Sequence, residues 1–299
     1  MKILLSGSSG LIGSMLTTFL ESKNHQIIKL VRKDTDVHED EIAWDLHKGI
    51  VNLKKMENLD AVIHLAGENV SNGRWTEEKK KSILDSRVMG TLVLCRAIAS
   101  LKNPPKVLIS ASAIGYYGSR GDEILTEESS QGAGFLADLC EQWEAATLPA
   151  REKGIRVVTL RLGMVLTPKG GALKKMLIPF KLGLGGIIGS GKQYVSWIAM
   201  DDLLRMIEYT LQKESIQGPV NAVSPHPVTN QELTKTLGQL LHRPTIMWIP
   251  EFAARIAFGE MADELLLNSL RVLPKKVTDA GFQYAAASLK CALEGLLDP

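Results

Sequence analysis

An α/β fold on a doubly wound parallel sheet is predicted for this 299-residue chain by three observations. Short apolar runs alternate with amphipathic helical stretches through the first half. Several of these runs are apolar throughout, as strands covered on both faces are. The first run ends in a glycine-rich turn that opens a helix. Such alternation gives βαβ units, and right-handed crossovers wind them into one sheet.

Taken in order, "KILLS" is the first strand, and "IGSMLTTFLESK" is a helix with Ile12, Leu16, Phe19 and Leu20 at helical spacing. "QIIKLV" and the near-continuous "LDAVIHLAG" are the next strands. "AWDL" at 43–46 has two readings, one that places Asp45 or Leu46 near an adenine and one that makes it a plain loop. A long helix follows in "TEEKKKSILDSRVMGTLVLCRAIASL", then the strand "PKVLISAS". "GAGFLADLCEQWEAAT" is a short helix whose Phe135, Leu139 and Trp143 share one face, and "GIRVVTLRLGMVL" is a strand. From about residue 167 the chain is rich in Gly and Lys with little periodicity, so 167–195 reads as loop. "AMDDLLRMIEYTLQKE" is a helix, with Asp201 or Asp202 expected as its cap. "GPVNAVSPHPVTNQELTKTLGQLLHRP" reads strand, turn, then helix capped by Thr229 or Asn230. The tail is a small helical segment.

Lys plus Arg total 35 against 33 Asp plus Glu, a net charge of +2, which excludes a nucleic-acid footprint. No run reaches the roughly 18 uncharged apolar residues of a membrane span. The N-terminus is a strand rather than a signal peptide. Cys95, Cys140 and Cys291 are odd in number and far apart, with neither disulfide nor metal-ligand spacing. They read as free thiols in a reducing, cytoplasmic setting, and no metal is expected.

"SGSSGLIGS" spaces Gly7, Gly10 and Gly13 as G-x-x-G-x-x-G between a strand and a helix. Gly7 allows the tight turn, Gly10 lets backbone approach a pyrophosphate, and Gly13 lets the helix lie on the strand. The helix opening at Leu11 and Ile12 offers free N–H groups and a positive dipole to phosphates. A Rossmann-type dinucleotide site is therefore expected. An acid ending the second strand would bind a ribose 2′-OH. Here Val31, Arg32 and Lys33 stand there instead, with Asp34 and Asp36 beyond the strand, so NADP is favoured over NAD. Leu65, Ala66 and Gly67 end the third apolar strand in small residues, where a cofactor can lie flat. Glu68 and Asn69 point toward the same crevice, whereas His64 inside the strand reads as a satisfied core histidine.

These motifs, with "HLAG", "SRVMGT", "ISASAIGYYG" and "RLGMVL" in that order, resemble the extended short-chain dehydrogenase/reductase superfamily. "RWTEEKK", "LGLGGIIGSGKQYVSWI", "VSPHPVTN" and "LPKKVTDAGF" are similar to its atypical "epimerase family protein" subgroup, an NADP-binding nucleoside-diphosphate-sugar epimerase type with a C-terminal domain of unknown function. The resemblance implies a dinucleotide-binding domain over 1–166, with 196–225 returning to it. It implies a smaller, loop-rich C-terminal substrate lobe over 167–195 and 226–299, including the domain of unknown function at about 245–299. It also implies a small-molecule substrate and leaves monomer and homodimer open. Arg87 stands where ordinary members carry Asn. The resemblance gives it a cofactor role, with Ser82 beside it and Ser110 on the following strand, against the alternative of an ion pair with Asp85.

Ordinary members also place a Ser after this strand and Tyr-x-x-x-Lys on the next helix. Ser112 matches, but Phe135 and Leu139 occupy the Tyr and Lys positions. A phenol titrates near 10, so the Lys ammonium is what brings it into range. Without that pair, Ser112, Tyr116 and Tyr117 are the candidate proton-handling residues, and Glu127 and Glu128 are candidate acids near the mouth. "GSGKQYVSW" resembles the family's substrate loop, with Lys192 on a diphosphate and Gln193, Tyr194 and Trp197 on a base or sugar. The expected function is an NADP(H)-dependent oxidoreductase or epimerase. A non-catalytic NADPH-binding sensor or assembly protein is the alternative.

Overall fold

A computed structural model describes residues 1–32, 37–46, 49–50, 52–286 and 288–297. Eight strands form one sheet: β1 (Lys2–Ser6), β2 (Gln26–Val31), β3 (Glu41–Asp45), β4 (Gly49–Ile50), β5 (Ala61–His64), β6 (Val107–Ala113), β7 (Arg156–Leu162) and β8 (Gly218–Ala222). Their spatial order is β8-β7-β6-β5-β1-β2-β3-β4, and every neighbouring pair is parallel except β3 with β4. The chain builds outward from β1 in one direction and from β5 in the other. A crevice therefore opens at the carboxyl ends of β1 and β5, where ligands bind in such sheets.

The helices are α1 (Leu11–Ser22), α2 (Glu77–Ala99), α3 (Phe135–Ala145), α4 (Leu148–Glu152), α5 (Gly171–Lys181), α6 (Met200–Gln212), α7 (Asn230–Leu240), α8 (Glu251–Phe258), α9 (Lys275–Asp279) and α10 (Leu289–Leu297). Successive strand residues face opposite ways. Ile3, Leu5, Ile63 and Ile109 bury against Leu16 and Leu20 of α1 and Leu203 and Ile207 of α6. Leu4, Val62 and Leu108 bury against Leu94 and Ile98 of α2 and Ala150 of α4. Both faces are covered, which is why these strands read as unbroken apolar runs.

Three local expectations change. Ala43, Trp44 and Asp45 of "AWDL" end β3, with Ile42 and Trp44 buried, so this stretch is strand rather than loop up to Leu46. The stretch 167–195 contains α5, whose Leu173, Leu177 and Phe180 share a buried face. Its opening glycines and internal Pro179 masked the period. Asp201 and Asp202 do not cap α6, whose N-cap is Ala199. Asp202 instead accepts the N–H groups of Ala285 (2.7 Å) and Ala286 (3.1 Å), tying the C-terminal segment down. Thr229 does cap α7, accepting the N–H of Glu232 at 3.1 Å.

Candidate cofactor and catalytic site

The glycine loop lies at the sheet's switch point. Gly7 has φ +73°, and a Cβ there would come within 2.8 Å of Ala66 N, so the turn and the end of β5 require glycine. A Cβ at Gly13 would lie 2.0 Å from the Gly7 carbonyl oxygen, which lets only glycine bring α1 this close to β1. Gly10 is looser at 3.2 Å and forms the N-cap of α1. No side chain caps this helix, and its first turn holds no acid. Its first N–H groups, at Leu11 and Ile12, thus have no intrahelical partner and face the crevice end with the positive pole.

A buried polar chain runs behind the loop. Ser6 Oγ lies 2.6 Å from His64 Nδ1, and His64 Nε2 lies 3.1 Å from Thr91 Oγ1 on α2. Thr91 Oγ1 also accepts the indole N–H of Trp143 at 2.9 Å. His64 is the satisfied core histidine expected, and burial holds it at about 4. A folded value below the unfolded 6.5 means that the unfolded chain binds the extra proton. Stability is complete above about pH 6.5 and falls by up to about 3 kcal/mol as pH drops toward 4. Denaturant melts across that window should show this slope, and His64→Gln should flatten it.

The same indole carries Arg87. The Arg87 guanidinium carbon lies 5.0 Å from the Trp143 ring centre, and Nη1 donates to Ile83 O at 3.4 Å. A Cβ on Gly67 would sit 3.3 Å from that guanidinium carbon. Arg87 forms no ion pair among the described residues, Asp85 included. Burial pulls it below the usual arginine value. A half-buried cation with no carboxylate partner, placed at the end of β5, has the chemistry of an anion ligand. Glu68 does not serve it: its carboxylate pairs with Lys79 at 2.5 Å. Asn69 is exposed and bonds locally, its Oδ1 accepting the N–H and hydroxyl of Ser71. Ser82 is exposed on α2, five residues before Arg87, so it stands on another side of the helix and is not brought to the guanidinium. Val31 ends β2 and Arg32 follows it, its charge helping to hold the Glu68 carboxyl down, while Lys33 lies outside the described residues.

The catalytic candidates divide. Ser112 is 1% exposed, and its hydroxyl donates to Glu144 Oε1 at 2.8 Å. The two Glu144 oxygens receive Nε and Nη2 of Arg161 at 2.8 and 2.9 Å. Arg161 Nη1 donates to the Tyr117 hydroxyl at 2.9 Å, which donates to Asn221 Oδ1 at 2.7 Å. Tyr117 is fully buried, and burial pushes it up to about 12. Ser112 and Tyr117 are thereby held in a hydrogen-bond network inside the fold. Tyr116 alone is half-exposed; its ring face lies 3.5 Å from the Arg161 guanidinium carbon, and its hydroxyl has no partner among the described residues. Ser110 is buried on β6, donating weakly to Ala111 O at 3.4 Å.

Sequence reasoning missed the Glu144–Arg161 pair. Its available signal was Arg161, a charge near the end of the otherwise apolar run "VVTLRL". Glu127 is also internal: it accepts the backbone N–H of Asn221 at 3.0 Å and of Lys276 at 3.3 Å. The apolar stripe of α3 is packing against α2. Phe135 meets Trp75 edge-on at 5.2 Å, Leu139 buries with Ile83, and Trp143 anchors on Thr91. Cys140 between them is buried, and burial pushes its thiol up to about 12.

The expected substrate loop is also largely internal. Trp197 is 1% exposed with its N–H on His226 O, so it cannot stack on a ligand. Gln193 is buried and donates to Ile188 O and Leu266 O. The N–H groups of Gly189, Gly191 and Lys192 already bond within the protein, so no diphosphate cradle forms there. Lys192 is exposed, and Tyr194 is half-buried under the Arg271 guanidinium at 4.8 Å.

The description "NAD dependent epimerase/dehydratase family" matches residues 3–222, and a domain of unknown function (DUF1731) matches residues 249–296. A Mycobacterium tuberculosis epimerase family protein, MT2273, is 43% identical over 94% of this chain and 93% of its own length. The structure of the human epimerase family protein SDR39U1 with NADPH superposes with a TM-score of 0.90 at 33% identity, covering 99% of both chains. A Corynebacterium glutamicum nucleoside-diphosphate sugar epimerase gives 0.82 at 35% identity, covering 99% of this chain and 58% of that one.

Proposed function

The chain belongs to the NAD dependent epimerase/dehydratase family, and on that footing we propose that it binds NADP(H) and acts as an oxidoreductase or epimerase of the extended short-chain type on a small hydroxyl or carbonyl compound. The observation that carries the reading is the unpaired Arg87 guanidinium beside a loop that only glycine can build. These residues fit a dinucleotide: Gly7, Gly10 and Gly13 with the N–H groups of Leu11 and Ile12 would take the pyrophosphate. Leu65, Ala66 and Gly67 form a flat wall, and Val31 and Arg32 stand at the adenosine end. The human relative with NADPH and the absence of a strand-end acid at Val31–Arg32 favour NADP over NAD. When bound, such a cofactor gives or takes a hydride at its nicotinamide ring.

The residues of this chain would bind, orient and handle protons. Tyr116 is the one phenol at the mouth with an uncommitted hydroxyl among the described residues, and we assign it the proton. Nucleotide sugars are the first substrate class to test, since the Corynebacterium relative is described by that activity. The test is transfer of deuterium between 4-labelled NADPH and a nucleotide-sugar panel, in the wild type and in Tyr116→Phe. Label transfer that Tyr116→Phe removes and Tyr117→Phe only weakens through stability supports the reading. No transfer to any compound sinks it.

The committed hydroxyls of Ser112 and Tyr117 favour a second reading, a non-catalytic NADPH-binding sensor. Tight NADPH binding with no label transfer in any variant is its signature. Under both readings, Arg87→Leu should weaken NADPH binding about 10- to 100-fold, the range for one charge-assisted contact. Fluorescence titration measures this.

A further inference from the structure

The stretches 171–184 and 246–248 expose a set of large apolar side chains. Leu173, Leu177 and Phe180 of α5 are buried, yet Ile178 on its opposite side is 63% exposed, and Leu182 just beyond its end is 70% exposed. The outward side of α5 thus sets Ile178 in water beside the exposed Lys174, Lys175 and Lys181, where a surface helix ordinarily carries polar residues alone. Leu184 continues the face, and Ile246, Met247 and Trp248 extend it. The two parts are one surface. Arg243 donates to Lys181 O at 3.0 Å, and the strand Gly186–Ile188 pairs with Met247–Ile249.

Its charge is one-sided. The sequence holds no Asp or Glu from Lys153 to Met200, and none from Leu233 to Pro250. Lys174, Lys181, Lys235 and Arg243 are exposed on these elements, and none forms an ion pair among the described residues. Elsewhere Lys29, Lys79, Lys80 and Lys275 all do. The acid that follows the second stretch, Glu251, pairs with Arg255 at 3.2 Å. A second copy of this chain is a poor occupant. A two-fold contact would set these cations against their own copies with no carboxylate to neutralise them.

We propose that this face docks peripherally on an anionic lipid bilayer, with Ile178, Leu182 and Trp248 at the acyl boundary and the four cations among headgroup phosphates. Apolar and tryptophan side chains ringed by Lys and Arg are the composition such contacts use. The contact is peripheral, since no helix among the described residues is long and apolar enough to cross a membrane. The proposal does not depend on the proposed reaction.

The test uses the full chain with vesicles of phosphatidylcholine, alone or mixed with phosphatidylglycerol. Co-sedimentation is expected with the mixed vesicles only and should weaken as salt rises. Trp248 is 65% exposed while Trp44, Trp143 and Trp197 are buried, so vesicles should blue-shift the emission, and Trp248→Phe should remove most of that shift. Lys174→Glu with Lys181→Glu should lower partitioning about tenfold or more, and Ile178→Glu should lower it further. NADPH titration should be the same in all variants, which confirms that they fold. No sedimentation with the mixed vesicles would overturn the proposal. Equal sedimentation of the charge-reversed variant would also do so, as would a solution dimer that Ile178→Glu dissociates.

Discussion

Gly13→Ala is expected to abolish NADPH binding at any practical concentration, with affinity falling about 100-fold or more and stability by about 1–3 kcal/mol. The new Cβ would lie 2.0 Å from a main-chain oxygen, Gly7 O, which has no rotamer to move away in. Relief requires α1 to lift from β1, and that displaces the N–H groups at the crevice. Gly10→Ala is the internal control, because its 3.2 Å approach needs a shift of only a few tenths of an ångström. Fluorescence titration and urea melts of both variants check this. Wild-type affinity in Gly13→Ala would remove the glycine loop from the account.

Glu144→Ala should be the most destabilising single change near the catalytic candidates, at about 3–5 kcal/mol. The side chains of Arg161 and Glu144 are only 4% and 12% exposed, so the variant leaves a buried guanidinium with no counter-charge. It also strips Ser112 of its acceptor. Removing both charges in Glu144→Ala with Arg161→Leu should restore part of the loss, since no orphan ion remains. Urea melts of the two single variants and the double variant read the coupling directly. Strict additivity would mean that the pair, and the network it organises, is not a unit. A positive coupling would explain why Ser112 and Tyr117 do not behave as free hydroxyls.

The parallel sheet was legible in the sequence because burial on both faces writes unbroken apolar runs, as in Val62–Ile63 and Leu108–Ile109. The glycine loop was legible because close backbone approach excludes every other residue at Gly7 and Gly13. What stayed hidden depended on long-range partners. Nothing local to "GSGKQYVSW" reveals that Trp197 and Gln193 face the protein's own carbonyls. Nothing local to "GYYG" separates Tyr116 from Tyr117, since Arg161 and Asn221 arrive from β7 and β8 to claim one hydroxyl and stack against the other ring. The helix α5 was missed because Gly170, Gly171 and Pro179 carry local signals that its buried face overrides. On α3 the shared face of Phe135, Leu139 and Trp143 was legible from its helical spacing. It is also a platform, since Trp143 is held by Thr91 and in turn holds Arg87.

The proposed binding mode has the crevice at β1 and β5 take NADP(H) through the glycine loop and Arg87, with no Tyr–Lys pair on α3. A crystal structure of the chain with NADPH tests it most directly. Expected are the pyrophosphate on the N–H groups of Leu11 and Ile12, the Arg87 guanidinium within hydrogen-bond reach of the dinucleotide, and Tyr116 as the nearest free hydroxyl to the nicotinamide. A dinucleotide bound away from the loop, or an Arg87 that stays on Ile83 O and touches no part of it, would rule this binding mode out.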